Sequence, residues 1–561
     1  MSAAENPVPR ILTTARTEDS RGLVLKHVAN ELVFAVVGHV GSGTSEIADS
    51  LKDILADENL QGGKFDAHII KASAIIKDWA DSNGFVVPQR ASGLNYTTKL
   101  QDLGDKMRAP PKDEDGNELG PADYSAVARR LILKIRESRA ASQDKQITDS
   151  EPVLPNGERR AYILDSLRHP AEVNLLRHLY QDAFVLIGVA CEENARMARL
   201  RGKFPHAGNA DLTEFMKRDA DDTQQKHGQK VADTFHLSDF FVDNTTDRVL
   251  EHDAANPAWD TPEKLGRLVK IVTHSEIVRP EVPETAMHHA HGAMMQSACL
   301  SRQVGAALVD KAGNVVATGT NEVPKAGGGV YGEFFRDPPK PRSGGGSEPL
   351  AQQALDDRCA FRRPDQRKFC SNTQEQNAII ADLVEGVPEL KALAQDRKGK
   401  LLLELRKTRI GSLLEFSRAV HAEMDALLSA AREGISPLAS RLYVTTQPCH
   451  YCARHLVTAG VDEVQYVEPY PKSRALELHD DAIQITTKDW VPPSQGGKKV
   501  LFRPFSGVAP RLFARAFLKI RNLKDNETGL IKISEPEWGT PWHLRTASYV
   551  ELEATLARST Q

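Results

Sequence analysis

Leu32–Leu51 reads LVFAVVGHVGSGTSEIADSL. Six apolar residues are followed by glycines at 38, 41 and 43 and then by an amphipathic run, the pattern of a buried strand, a tight turn and a helix start. Gly38–Ser45, GHVGSGTS, fits the phosphate-binding loop G-x-x-x-x-G-K-[ST] except that Thr44 stands where the lysine belongs. The glycines let successive N–H groups turn toward a phosphate, and the positive end of the following helix adds to them. Ser45 can hold Mg2+. Without the lysine ammonium, phosphoryl transfer loses most of its electrostatic support, whereas phosphate binding survives.

Outward from this loop, FDAHIIKAS, RAYILDSL and DAFVLIGVA alternate short apolar runs with amphipathic stretches as far as Asn244, which predicts a parallel sheet with crossover helices. Asp165, after the apolar AYIL, falls where a Walker B acid would be. CEENARMARLRGK, with Arg196, Arg199 and Arg201, resembles the arginine-bearing lid of nucleoside-phosphate kinases. The expectation is a P-loop kinase-like domain binding a nucleotide through Gly38, Gly41, Gly43, Thr44, Ser45 and Asp165. A structural relic or an oligomerisation platform is the alternative.

At 561 residues the chain exceeds one ordinary core. Its 40% hydrophobic and 26% charged residues and formal net charge of -4 are those of a globular protein with no overall basic excess for nucleic acid. MSAAENPVPRILTTARTEDS has no apolar signal core, and no apolar run reaches the roughly 20 residues that span a bilayer, so the expectation is no membrane and a cytoplasmic location. The boundaries read as an arm over 1–30, the P-loop domain over 31–250, a linker over 251–283, a second α/β domain over 284–500 interrupted by a Gly/Pro/Arg-rich insertion at 324–411, and an extension over 501–561 packed on that second domain.

Six cysteines spread over this length do not make a disulfide framework. One close pair lies in QPCHYC, Gln447–Cys452, downstream of HAE at His421–Glu423. Two thiolates three residues apart on a helix start, with an imidazole from a neighbouring helix, give Zn2+ three ligands and leave a fourth position for water, whose pKa can fall to about 7. Glu423, two residues after His421, can reach that water without ligating the ion and shuttle protons. A closed structural knuckle is the alternative; it wants a fourth ligand, and His450 and His455 lie nearby. Cys359 and Cys370, and His288, His289 and His291, read as ordinary thiols and helix histidines rather than as second metal sites.

H-x-E followed by P-C-x-x-C matches the zinc deaminase signature. SRQVGAALVDKAGNVVATGTNEVP, HAEMDALLSA and LYVTTQPCHYCARHLVTAGVDEVQYVEPYPKSRALELHDDAI together resemble the deoxycytidylate deaminase family of the cytidine deaminase superfamily. With the P-loop region in front, the arrangement resembles the bacterial two-domain anti-phage dCTP deaminases. The resemblance implies a cytidine-deaminase-like α/β/α domain, Zn2+ on His421, Cys449 and Cys452, Glu423 as proton shuttle, Asn321 at the substrate's sugar and base, and Arg302 near its phosphate or the pocket wall. It also implies deamination of dCTP or dCMP, dCTP depletion in phage defence and self-association. The P-loop reading adds a nucleotide effector with Mg2+ beside it, and a small RNA or a protein inhibitor is the expected control layer. For Asn321, a turn-former after a strand is the structural alternative.

Two rival functions stay open. A deaminase of single-stranded DNA or tRNA would want stacking aromatics and a basic track, which 6% aromatic content does not favour, although Arg336, Lys340 and Arg342 in the insertion can supply charge. A nucleotide- or RNA-responsive regulator would use the deaminase fold only for binding.

Overall fold

The computed structural model describes residues 19–558 apart from 61, 91–92, 114, 148–150, 223–226, 250–253, 255, 258, 332–359, 363–367, 414–415, 471, 535 and 538. Cys359, Arg336, Lys340 and Arg342 lie outside the described residues, as does most of the arm expected over 1–30. The chain forms two six-stranded mixed sheets, both dominated by parallel pairs.

The first sheet follows the alternation read from the sequence. After the short β1 (Val28–Ala29) come β2 (Glu31–Gly38), β3 (Asp66–Lys71), β4 (Arg160–Asp165), β5 (Phe184–Ala190) and β6 (Phe240–Asp243), arranged β6-β5-β2-β4-β3 with every neighbour parallel. β2, β4 and β5 are buried along their whole length, so they read as unbroken apolar runs rather than alternating ones. Helices Thr44–Leu55 and Ala126–Ala141 pack over them through Ile47, Leu51, Leu131 and Ile135. β2 is flanked by β4 and β5, and its carboxyl end, where the order reverses, opens the crevice that open α/β sheets use for ligands.

The second sheet is built from β7 (Gly305–Val309), β8 (Val315–Thr320), β11 (Arg441–Thr446), β12 (Glu463–Glu468), β13 (Ile483–Gln484) and β14 (Val500–Pro504), in the order β13-β14-β12-β11-β7-β8. The intervening β9 (Ala360–Arg362) and β10 (Lys368–Cys370) pair as a small hairpin in the insertion. β11, β12, β14 and β13 are mutually parallel; β7 and β8 join antiparallel. Two glycines seat helices on opposite faces. A Cβ on Gly319 would lie 2.2 Å from the Ala422 carbonyl oxygen, and one on Gly305 would lie 2.0 Å from that of Ala290. Helices Ala422–Arg432 and Val282–Met294 therefore rest directly on the backbone of β8 and β7.

Two boundaries are drawn differently by the structure. The stretch read as a linker contains helix Thr261–Thr273, whose Leu265, Leu268, Val269 and Val272 are buried in the same core as β2; its apolar residues recur at helical spacing, so it has a face to bury. The extension does not stay on the second domain. Val500–Pro504 completes the second sheet, but β15 (Gly507–Val508) adds antiparallel to β6, β16 (Leu544–Arg545) pairs with β1, and helix Thr546–Arg558 packs on Ala126–Ala141. The physical anchor is charge: Arg139 donates to Glu31 at 2.7 Å and to Glu553 at 2.6 Å, with all three residues buried.

Candidate metal centre and its cavity

Two helix N-termini converge at the carboxyl end of β11. His421 caps helix Ala422–Arg432 and Cys449 caps helix His450–Thr458, with Cys452 in that helix's first turn and Pro448 just outside it. Backbone dipoles of both helices point their positive ends at the thiols, which favours thiolates. His421 Nδ1 lies 3.4 Å from Cys449 Sγ and 3.3 Å from Cys452 Sγ. The three donor atoms all fall within 4.8 Å of one another, and among the described residues no other His/Cys/Asp/Glu group is so disposed.

One imidazole nitrogen from a half-buried histidine and two buried sulfurs, all convergent, suit Zn2+ by donor type and number. His450 and His455, the nearby candidates for a fourth ligand, are not in the cluster; His455 Nδ1 instead meets the Tyr451 carbonyl at 2.6 Å. His288, far from the set, stacks on Phe513 with centroids 4.3 Å apart.

Electrostatics at the cluster are strongly perturbed. Its hydrogen bond with Cys449 pushes His421 up to about 9, and hydrogen bonding from Cys452 pulls Cys449 down to about 4. The Cys452 thiol, sharing that bond and buried, is pushed upward. Burial pushes Glu423 up to about 7, against the opposing pull of the His421 charge. A carboxyl group poised near neutrality is suited to take and return a proton.

His421, Glu423 and Cys449 form one wall of a cavity of about 280 Å3. Asn321 and Arg302 stand on it too, but Asn321 is first a positioning residue: its Oδ1 accepts from Val304 N–H at 2.7 Å and its Nδ2 donates to the Arg302 carbonyl at 2.7 Å, folding loop 302–304 against the site. One amide hydrogen and one oxygen lone pair remain on that side chain. Arg302 reaches Glu468 Oε1 at 2.7 Å and lies over the Tyr470 ring, 5.6 Å from its centroid.

The sequence does not place the other lining residues at the site, and in it Cys370 reads as an ordinary thiol. Thr446 ends β11, Gln447, Tyr470 and Lys472 come from the loops after β11 and β12, and Cys370, Ser371 and Asn372 come from the start of insertion helix Ser371–Gly386. Cys370 is a free thiol, 3.7 Å from Ser301 Oγ. The only available signal for Tyr470 and Lys472 was their place just after a strand that ends beside the cysteines. For the insertion there was none, because contact across more than fifty residues of sequence is a tertiary event.

Of the residues expected to hold phosphate, Gly41, Gly43, Thr44, Ser45 and Asp165 line a separate cavity of about 810 Å3, and Gly38 does not. Gly41 and Gly43 adopt φ of 84° and 86°, open to glycine and costly for other residues. Ser45 Oγ donates to Asp165 Oδ2 at 2.6 Å, and Asn244 Nδ2 donates to the Ser42 carbonyl at 2.9 Å. Thr44 begins the helix; Gly38 ends β2. Of the lid arginines, Arg199 pairs with Asp247 at 2.9 Å and Arg201 with Asn209 at 3.0 Å. Among the described residues, no helix is long and apolar enough to cross a membrane.

Residues 280–468 match the family model of the cytidine and deoxycytidylate deaminase zinc-binding region. The deoxycytidylate deaminase of Enterobacteria phage T4 is 26% identical over 195 residues, 34% of this chain and 79% of that protein. ComE operon protein 2 of Bacillus subtilis (strain 168) is 37% identical over 54 residues, covering 10% of this chain and 29% of that protein. Among solved structures, the apo dCMP deaminase from the cyanophage S-TIM5 aligns with 40% of this chain and 99% of its own, at 17% identity and a TM-score of 0.20.

Proposed function

We propose that the C-terminal half hydrolyses the exocyclic amine of free deoxycytidine nucleotides, dCMP and/or dCTP, giving the uracil form and ammonia. The observation that carries this reading is the His421, Cys449 and Cys452 donor set with buried Glu423 beside it, inside the matched zinc-binding region. Zinc, when bound by those three residues, supplies Lewis acidity that activates a water for attack. Glu423 takes a proton from that water, delivers one to N3 of the cytosine ring and helps the amine leave. Asn321 holds loop 302–304 and offers its remaining amide groups to the nucleoside, while Arg302 and Lys472, both exposed at the cavity rim, attract phosphate.

The cavity's size favours a free nucleotide. About 280 Å3 lies at the lower end for small-molecule sites. Among the described residues, Tyr470 is the single tyrosine, phenylalanine or tryptophan lining it, which is a poor stacking track for a polynucleotide. In the same proposal the N-terminal half is a P-loop kinase-like regulatory domain that binds a nucleotide, with Mg2+ held by Ser45 and Asp165. Depletion of dCTP in phage defence and self-association rest on the resemblance to the two-domain anti-phage deaminases; cytoplasmic residence and control by a small RNA or protein inhibitor complete the reading.

Zinc-loaded protein incubated with dCMP, dCTP, CTP and a cytosine oligonucleotide, beside Glu423→Ala, tests the reading by chromatography of uracil products. Conversion of dCMP or dCTP, absent in the variant, supports it and identifies the substrate. Turnover of the oligonucleotide alone would overturn it in favour of a polynucleotide enzyme.

A further inference from the structure

The larger cavity raises a question of charge. A P-loop whose lysine position holds Thr44 offers only backbone N–H groups to the phosphates, yet the walls around it are strongly cationic. Lys71, Lys77, Arg90 and Lys203 all line it, and among the described residues none of the four has a carboxylate within ion-pair distance. Arg168, also on the wall, differs: it pairs with Asp219 and donates to the Gly38 carbonyl at 3.3 Å.

Of the four, Lys203 has the placement of a missing lysine. It is the last residue of helix Glu193–Lys203, the helix that packs over the phosphate loop: a Cβ on Gly41 would stand 2.8 Å from the Arg196 carbonyl oxygen of the same helix. Its ammonium sits in the field of Arg90, Arg168 and Asp165, the last being the partner of Ser45. Partial burial and the two guanidinium groups hold its pKa below the ordinary lysine value. The cations on this wall outnumber its carboxylates, Glu46 and Asp165, and like charges held together in such excess are disfavoured unless an anion completes the set.

We infer that this cavity binds a nucleoside triphosphate whose phosphate charge is met by Lys203, with Arg90 beside it, in place of a lysine at position 44. The inference rests on the proposal that the N-terminal half binds a nucleotide and adds the ligand class and the residue that replaces the absent cation. Lys203 arrives from the helix packed on the loop rather than from the loop itself, so phosphate binding and the position of that helix are coupled.

Full-length zinc-loaded protein is titrated calorimetrically with ATP, dTTP and inorganic tripolyphosphate, none of which carries a cytosine amine. Lys203→Gln should weaken all three by about tenfold or more, equivalent to roughly 1.4 kcal/mol, whereas Lys217→Gln, a nearby exposed lysine outside the cavity, should leave them unchanged. Thr44→Lys in the Lys203→Gln background should recover most of the loss, because the charge returns to the same phosphates. Equal binding by wild type and Lys203→Gln overturns this inference and leaves the nucleotide-binding proposal standing. If wild type binds none of the three while still deaminating dCMP, the proposal for the N-terminal half fails and this inference with it. Thermal melting of each variant checks that an affinity loss is not unfolding.

Discussion

Glu468 Oε1 accepts an ion pair from Arg302 at 2.7 Å and lies 3.9 Å from His236 Nε2. Arg302 lines the smaller cavity, while His236 follows Phe235 at the end of a helix of the N-terminal half. Phe235 in turn lies 6.2 Å, ring to ring, from His39 of the phosphate loop. The rim of one cavity is thus linked to the loop of the other through Glu468, His236 and Phe235. Both partners of the Arg302–Glu468 pair are partly exposed, so the pair itself is worth little in stability; its consequence is where it holds the guanidinium.

If Arg302 recognises phosphate, Arg302→Ala should raise the KM for dCMP by about tenfold while changing that for deoxycytidine less than about threefold, since only the former loses a charge-assisted bond. Steady-state kinetics on the two substrates read this directly. Equal penalties on both would make Arg302 a wall residue.

Glu423 and Cys452 should fail in different ways. Glu423→Gln keeps the three metal donors and should retain about one zinc per chain while kcat falls by about 100- to 10,000-fold. Cys452→Ala removes a donor and should lose both zinc and activity. Metal analysis alongside the assay separates the two; zinc loss in Glu423→Gln would show that this carboxylate supports the metal rather than the proton transfer.

Gly319→Ala tests whether the helix bearing His421 and Glu423 depends on direct contact with β8. The added carbon would sit 2.2 Å from the Ala422 carbonyl oxygen and 2.3 Å from the Ala426 nitrogen, both backbone atoms that cannot rotate away. Urea denaturation should record a loss of about 1–3 kcal/mol or more, and activity should fall too, because Ala422 lies between the two functional residues.

Arg139→Ala addresses the C-terminal segment. It would leave the Glu553 carboxylate buried without its cation and Glu31 with only Arg160, 3.9 Å away, and removing one partner of such a set costs roughly 3–5 kcal/mol. The N-terminal half should unfold at lower urea, with proteolysis near helix Thr546–Arg558 preceding loss of the zinc region. Unchanged stability would mean that this helix docks through its apolar residues alone.

Much of the architecture was legible because it is written in short periods. The unbroken apolar runs at β2, β4 and β5 announce strands covered on both faces, and the glycine spacing at 38, 41 and 43 announces the turn between β2 and its helix. The H-x-E and C-x-x-C spacings name residues that one helix turn can bring to a common point. Helix Thr261–Thr273 carried the same kind of signal, but its neighbours' Pro and Asn content read as a linker. Nothing local marks Cys370, Ser371 and Asn372 as cavity residues, or Lys203 as a neighbour of Asp165.

The amino-acid order by itself determined the identity and local spacing of the metal donors, the glycine loop lacking its lysine, and the alternation that yields parallel sheets, because these are properties of a few consecutive residues and the backbone geometry they permit. Only the tertiary structure decided that His421 meets Cys449 and Cys452, that the insertion supplies a wall of their cavity, and that the C-terminal segment returns to the core of the first sheet, with β15 added to that sheet and β16 paired to β1. Those outcomes depend on burying apolar faces and neutralising charges between segments far apart in the chain, as Glu31, Arg139 and Glu553 do, and no local pattern encodes which distant partner completes a buried charge.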